Sequence, residues 1–549
     1  MPTDAAATSA AAGAEAGRSS PGRADLPAWL GWTLVALVTI GVLATWAPGF
    51  TAALGDNHEG RILARHALNV SNAQAHGLAA SGWLSDWSPY VGGDGEQTSY
   101  AHHPPLLNLG YYLAGQLYPG ELDTAMRVFA ALVGVAMLPV GAAVLRRLGL
   151  RWTPTLLATV AVAITPLFWV YGRLYGNVTL LLLMVLAVVR LVEPHRAGPV
   201  ELAEPRRVGP VELALAALAC IAAIVAGYLG MATAALLGLW LLRRRGWDAV
   251  TWTIGLAMLL GAAISLGYVV GTTGAGRVGE QIEMRTGGGD FTAAEFAERI
   301  GQWVSSLLPW WWRWLVLPIA VVGGLLHRAT RPLTLITAVV AVAYVVGLPN
   351  GSFIHDYWIF PVLLPVWFGV AAVAAGASEL TARRFARPTA GQQPDLWPAG
   401  QHPSLALAGR RGGLHAEHLA GAVAVVLLIG LGGWHGLSTH VPSRYLIEPQ
   451  AAGELVRDVA PPEEQTTAWR TAGFAAPRWH SYYWDLPPER VTRGAAAELP
   501  ADDLVLVRLD GRPGWLGDAE ELRDLAVAER GDYALVTGAT LADRAAAAD

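Results

Sequence analysis

The stretch VELALAALACIAAIVAGYLGMATAALLGLWLL, residues Val211 to Leu242, decides how this chain folds. A bilayer core needs about 20 apolar residues per helical crossing, so the run is too long for one span and short for two. Arg243-Arg244-Arg245 follow it directly. Read as one span, the run sends those arginines to the opposite side from the earlier clusters and inverts every later loop. Read as a hairpin turning near Gly227 and Gly230, it gathers Arg146, Arg147 and Arg151, Arg206 and Arg207, Arg243 to Arg245, Arg328 and Arg331, and Arg383, Arg384 and Arg387 on one side. Arginine collects in cytoplasmic loops, so a hairpin is expected, with the N-terminus inside.

Working outward, further candidate spans are Trp29–Trp46, Ala125–Val144, Thr153–Val170, Val178–Val192, Ala249–Val270, Trp310–Leu326, Leu333–Leu348, Ile359–Ala375 and Leu419–Leu437. About eleven crossings result, with the C-terminus outside. Composition agrees: 53% of the 549 residues are hydrophobic and 15% are charged, against roughly a quarter charged in soluble domains. The chain reads as a polytopic α-helical membrane protein. Its basic residues are all arginine, which with the Ala, Gly and Pro content points to a GC-rich bacterial genome. One cysteine, Cys220, lies in an apolar run and excludes a disulfide framework. The net charge of −5 names no partner, and nucleic acid is not expected.

Three regions follow. Residues 1–28 read as a disordered cytoplasmic tail, too polar for a signal-peptide core. Residues 29–437 hold the spans, with a long first external loop over 47–124. Residues 438–549 are charged and mixed, and read as a small external α/β domain. There, Leu504–Leu509 and Tyr533–Val536 have strand character, while Ala451–Val459 and Ala519–Ala528 have helical spacing. Gly-Pro-Val-Glu-Leu-Ala occurs at Gly198 and again at Gly209, a local duplication and no repeat fold. Residues Arg387 to Gly413 read as a linker.

The polar clusters fall on the external side. Gly55-Asp56-Asn57-His58-Glu59-Gly60-Arg61 follows the first span, and in a helix Asp56 and Glu59 share a face. Two carboxylates there suit a general base, a metal site or an acceptor clamp, or simply favour the positive end of a helix dipole. His102-His103-Pro104-Pro105 precedes a short apolar stretch, which reads as an interfacial helix lying along the membrane. Two histidines at its start suit a phosphate, or merely cap a surface helix. His355-Asp356-Tyr357-Trp358 opens a later span; the aromatics alone are ordinary interfacial anchors. Arg173, in the turn Tyr171-Gly172-Arg173-Leu174-Tyr175-Gly176-Asn177, either snorkels to headgroups or holds a phosphate bidentately. Trp310-Trp311-Trp312-Arg313-Trp314 needs no ligand, and Gly287-Gly288-Gly289 lacks the context of a phosphate loop.

Together these motifs resemble the GT-C superfamily of membrane glycosyltransferases, in the branch of protein O-mannosyltransferases and the aminoarabinose transferases acting on lipid A. In that family an acid opens the first external loop, a His-Pro-Pro-Leu or Lys-Pro-Pro-Leu motif precedes a juxtamembrane helix, and a His-x-Tyr-like element precedes a later span. Here those places hold Asp56 with Glu59, His103-Pro104-Pro105-Leu106, and His355-Asp356-Tyr357. The resemblance covers roughly Trp29 to Ala375. Two departures stand out. Asn177 sits where many relatives carry an aspartate, and His103 replaces the lysine of the aminoarabinose branch, which argues against that donor chemistry.

The resemblance implies a polyprenyl-phosphate sugar as donor and inverting transfer to an acceptor hydroxyl, with Asp56 as general base. It implies Glu59 as support for the acceptor or for Arg61. His103, Arg173 and His355 would neutralise the departing lipid phosphate, with Tyr357 as a hydrogen-bond donor. His58, Arg61, His102 and Asp356 are further acceptor or support candidates. No cofactor is implied; a divalent metal is not required by the closest branches, though the residues do not exclude one. The acceptor is left open among lipid, polysaccharide and protein. Two other classes compete. A transporter or flippase predicts charges at mid-depth and inverted repeats, whereas these spans are nearly free of ions. A polyprenyl-linked polysaccharide polymerase or ligase usually keeps its arginines and histidines in a later external loop.

Overall fold

The structure, a computed structural model, describes residues 25–55, 58–86, 105–174, 176–192, 208–287, 291–308, 310, 312–385, 450–465, 468–472, 481–484, 486 and 488–548. Helix α1 (Ala28–Trp46) starts behind Pro27 and carries no charge. Helices α2 (His58–His76) and α3 (Leu106–Leu117) belong to the long segment between the first two apolar helices. The bundle continues with α4 (Leu122–Arg147), α5 (Trp152–Ala163), the short α6 (Pro166–Tyr171), α7 (Gly176–Val192), α8 (Pro210–Ala226), α9 (Tyr228–Arg245) and α10 (Ala249–Thr273). Two amphipathic helices follow, α11 (Ala275–Thr286) and α12 (Ala293–Leu307), the second opened by a capping box between Thr292 and Glu295. A π-helical turn (Trp312–Val316) leads into α13 (Leu317–Leu326), then come α14 (Arg331–Gly347) and α15 (Pro349–Ile354). A 3-10 segment (Asp356–Val362) runs into α16 (Leu363–Phe385).

Among the described residues, four helical stretches are long and apolar enough to cross a bilayer: Ala28–Gly49, Leu122–Arg147, Ala249–Thr273 and Asp356–Glu379. Helices α5, α7, α8 and α14 are apolar but shorter. Every expected span within the described residues has a helical counterpart, and Leu419–Leu437 lies outside them. Two expected spans are not continuous helices. Thr153–Val170 breaks after Ala163, where Pro166 opens α6, because proline has no N–H for the preceding turn. Trp310–Leu326 is a π turn followed by a ten-residue helix, with Pro318 unable to donate back to Trp314.

The hairpin is there. The chain reverses between α8 and α9 at Gly227, and a Cβ at Gly230 would stand 2.1 Å from the Ala223 carbonyl oxygen. Small residues let helices approach this closely inside a membrane. Gly369 of α16 repeats the device, 2.0 Å from the Ala320 oxygen of α13. The reversal sets the parity: Arg151, Arg244 and Arg328 line one cavity at the same end of the bundle. Read as a single span, Val211–Leu242 would have separated them.

The C-terminal residues form a five-stranded mixed sheet, in the order β2-β1-β3-β5-β4. Its strands are β1 (Trp469–Ala472), β2 (Pro488–Val491), β3 (Leu504–Arg508), β4 (Ala528–Arg530) and β5 (Tyr533–Thr537). The two strands expected from sequence are β3 and β5, antiparallel neighbours with Leu506 opposite Leu535. Both read as unbroken apolar runs because both faces are covered. Val505, Val507, Ala534 and Val536 join the core beneath Gly538–Ala547, whereas Leu504, Leu506 and Leu535 pack with Gln450–Asp458. The expected helix Ala519–Ala528 stops at Asp524, and its last residues turn into β4.

Candidate functional site

At the end of the bundle opposite the arginines, three connecting segments meet. Trp46, closing α1, lies against Phe168 of α6, with ring centroids 5.6 Å apart. The turn after α6 sits on α4, where a Cβ on Gly134 would come within 2.2 Å of the Gly172 oxygen. Leu107, just after the His-His-Pro-Pro motif, comes beside Gly176 at the far side of that turn. Tyr171 meets Tyr357 edge-on at 6.4 Å, and the His355 ring stacks on Tyr357 at 5.0 Å. These segments, spread along the chain from Trp46 to Tyr357, therefore share one end of the fold.

The expected site residues fall into three groups. Asp56, His102 and His103 lie outside the described residues. His58, Glu59 and Arg61 open α2, and only their backbone is described. Arg173, His355, Asp356 and Tyr357 are all in place. Arg173 is 8% exposed, which corrects the snorkelling reading: its side chain turns into the protein. Asp356 opens the 3-10 segment, and His355 sits in extended backbone just before it. Helix α3 forms where a short helix was expected, and it is two-faced. Leu109, Leu113 and Leu117 are exposed on one face, and Asn108 and Tyr111 are buried on the other. Asn177, in place of the relatives' aspartate, packs against Gly227 at the hairpin reversal.

The approach to Asp56 is held by a network that the sequence did not announce. Arg127, buried in the second turn of α4, donates to the carbonyls of Gly49 at 3.0 Å, Ala52, and Ala53 at 2.9 Å. The backbone N–H of Leu54 donates to the Tyr483 hydroxyl at 2.7 Å, and that hydroxyl donates to Asp123 at 2.8 Å. Arg457 reaches the Thr51 oxygen at 3.2 Å, and a Cβ on Gly453 would strike the Leu54 oxygen at 1.9 Å. Burial, reinforced by the Asp123 charge, pushes the Tyr483 phenol well above its ordinary range, so it stays protonated as the network needs. The signal in the sequence was an acid and a base, Asp123 and Arg127, one helical turn apart at the mouth of an apolar span.

Arg285 was missed as well. It stands 5.6 Å from the Trp358 ring, in the wall of an apolar cavity of about 310 Å³ between α10, α11 and α14. Leu266, Val270 and Ile282 of that wall are exposed on the outer surface of the bundle. Tyr228 and Tyr344 complete its polar side. Over α15 lies α12, whose Trp303 indole donates to the Ser352 oxygen at 3.1 Å. Among the described residues no group of three or more His, Cys, Asp or Glu side chains could hold a metal ion.

No protein-family model and no curated protein matches the sequence. Solved structures do. ArnT from Cupriavidus metallidurans bound to undecaprenyl phosphate aligns over 93% of this chain and 98% of its own, at 16% identity and a TM-score of 0.51. Its apo state aligns over 94% and 99%, at 17% identity and the same score. At such identity the likeness is one of fold, and it spans the bundle and the C-terminal sheet together. This chain has the fold of the GT-C membrane glycosyltransferases.

Proposed function

We propose that the protein transfers a sugar from a polyprenyl-phosphate donor to an acceptor hydroxyl, on the face of the membrane away from the arginine-lined end. The acceptor oxygen bonds to the anomeric carbon as the bond from that carbon to the phosphate oxygen breaks, with inversion. Asp56 takes the hydroxyl proton, and the polyprenyl phosphate leaves as an anion. Arg173, His355 and His103 neutralise that charge as it develops, an electrostatic task suited to preorganised cations; Tyr357 donates to a phosphate oxygen. Glu59, with Arg61, His58, His102 and Asp356, supports the acceptor side. Arg285 joins the phosphate-holding set, and the cavity below it takes the first isoprene units of the tail.

The observation that carries this reading is the meeting of three connecting segments at one end of the bundle, beside an apolar cavity open on the bundle surface, with a guanidinium in its wall. A donor anchored by its tail must present its phosphate at that depth. ArnT, whose fold this is, has been solved with undecaprenyl phosphate bound. The test is a panel of radiolabelled polyprenyl-phosphate sugars offered to the protein in proteoliposomes, with a neutral hydroxyl acceptor pool extracted from the host envelope. Transfer from one lipid donor, abolished in Asp56→Asn, is expected. A soluble sugar nucleotide serving equally well would overturn the donor class. Cysteine labelling that finds positions 56 and 355 in opposite compartments would overturn the site.

A further inference from the structure

The opposite end of the bundle holds a second cavity, of about 680 Å³. It is enclosed by the α4–α5 and α13–α14 turns and by the C-terminal ends of α7, α9 and α16. Arg151, Arg244, Arg328 and His327 stand in its wall with a single acid, Glu379. Charge statistics alone explain arginines at this end, but not how they are sorted. Arg146 pairs with Asp25 at 2.7 Å, Arg190 with Glu212, and Arg245 with Asp248 at 2.7 Å. None of those three arginines lines the cavity. The three that do make no ion pair among the described residues, Glu379 included.

Apart from Ser378 the remaining wall is apolar, with Val189 and Val192 at the end of α7 and the Trp240 ring one turn before Arg244. Unpaired guanidiniums over an apolar floor, at the depth where helices leave the bilayer, match one ligand chemistry. A phosphodiester offers delocalised charge and several acceptor oxygens to planar donors, and the attached acyl chains continue along the floor. Basic pockets between helices on this side of a membrane are suited to anionic lipid headgroups. We propose that this cavity binds the headgroup phosphate of an anionic phospholipid, independently of the transfer reaction at the other end.

Native mass spectrometry tests it. The whole protein is held in phosphatidylcholine nanodiscs and titrated with phosphatidylglycerol or cardiolipin. Retention of one anionic lipid is expected, weakened about a hundredfold in the triple variant R151Q/R244Q/R328Q. R243Q removes a charge from the same helix end, outside the cavity wall, and should retain the lipid. Equal loss in R243Q, or equal retention of phosphatidylcholine, would mean unspecific attraction and overturn the site. Displacement by inorganic phosphate alone would assign the cavity to the free ion and overturn the lipid. Should the triple variant fail to assemble, the single R244Q is read by the same criteria, with a smaller loss.

Discussion

The two ends of this bundle use the same residue in opposite ways. At the arginine-lined end, Arg151, Arg244 and Arg328 are exposed, and their charge acts outward. At the other end Arg127 and Arg173 are 4% and 8% exposed, and Arg127 spends its donors on three backbone carbonyls. An exposed guanidinium in water contributes little to stability. A buried one is strongly favourable only when its donors are satisfied, and its removal strands every acceptor it served. The lesson is that arginine counting orients a membrane protein but does not locate its chemistry.

The comparison can be broken most sharply at Asp56. Asp56→Asn should lower turnover about a thousandfold, as loss of a general base does, with lipid-donor binding unchanged in a filter assay. Full turnover would leave the inward-turned end without its proposed reaction. Next comes a matched pair of arginines. Arg127→Leu leaves the Gly49, Ala52 and Ala53 carbonyls without their donor and should cost about 3 kcal/mol. Arg244→Leu at the exposed end should stay within about 0.5 kcal/mol. Thermal melts in one detergent read both, and equal shifts would erase the distinction between the ends.

Tyr483→Phe is a smaller cut. It removes both the acceptor for Leu54 and the donor to Asp123, and should cost about 2 kcal/mol. It also has a pH signature. A phenol whose folded pKa lies above its unfolded value stabilises fully below about pH 10 and loses that contribution as pH rises beyond it. The wild type should therefore lose stability steeply above that pH, and the variant less so; Tyr482, shifted upward by burial too, keeps part of the slope. Identical slopes in alkaline melts would show that the hydroxyl is not held as described. The smaller effect on the reaction itself is expected at Arg285→Gln: KM for the lipid donor up about tenfold, near 1.4 kcal/mol, with kcat largely kept. A change confined to kcat would move Arg285 out of ground-state phosphate binding.

Much of the architecture was legible because it follows from local patterns. Apolar runs marked the helices, the arginines set the parity of the α8–α9 hairpin, and Gly227 marked its turn. His-His-Pro-Pro before an apolar stretch announced the short helix α3. Two largely apolar strands announced the sheet, but β1, β2 and β4 are short and half or more polar, so their pairing partners supply what their composition lacks. The breaks at Pro166 and Pro318 were open to the same reading, yet high hydropathy on both sides masked them.

The grip on the approach to Asp56 was out of reach for a different reason. Tyr483 and Asp123 are 360 residues apart, and neither belongs to a recognisable pattern. Arg285 looked like one charge among several in a polar loop until α11 laid it beside Trp358. From its residues alone this chain was bound to be a many-helix membrane protein with its polar motifs on one side, because the cost of burying backbone and charge in lipid acts on every segment separately. Which arginine turns inward, and which tyrosine from the C-terminal region bonds to the chain after α1, is decided by packing between distant segments. That is a property of the assembled fold and of no single stretch within it.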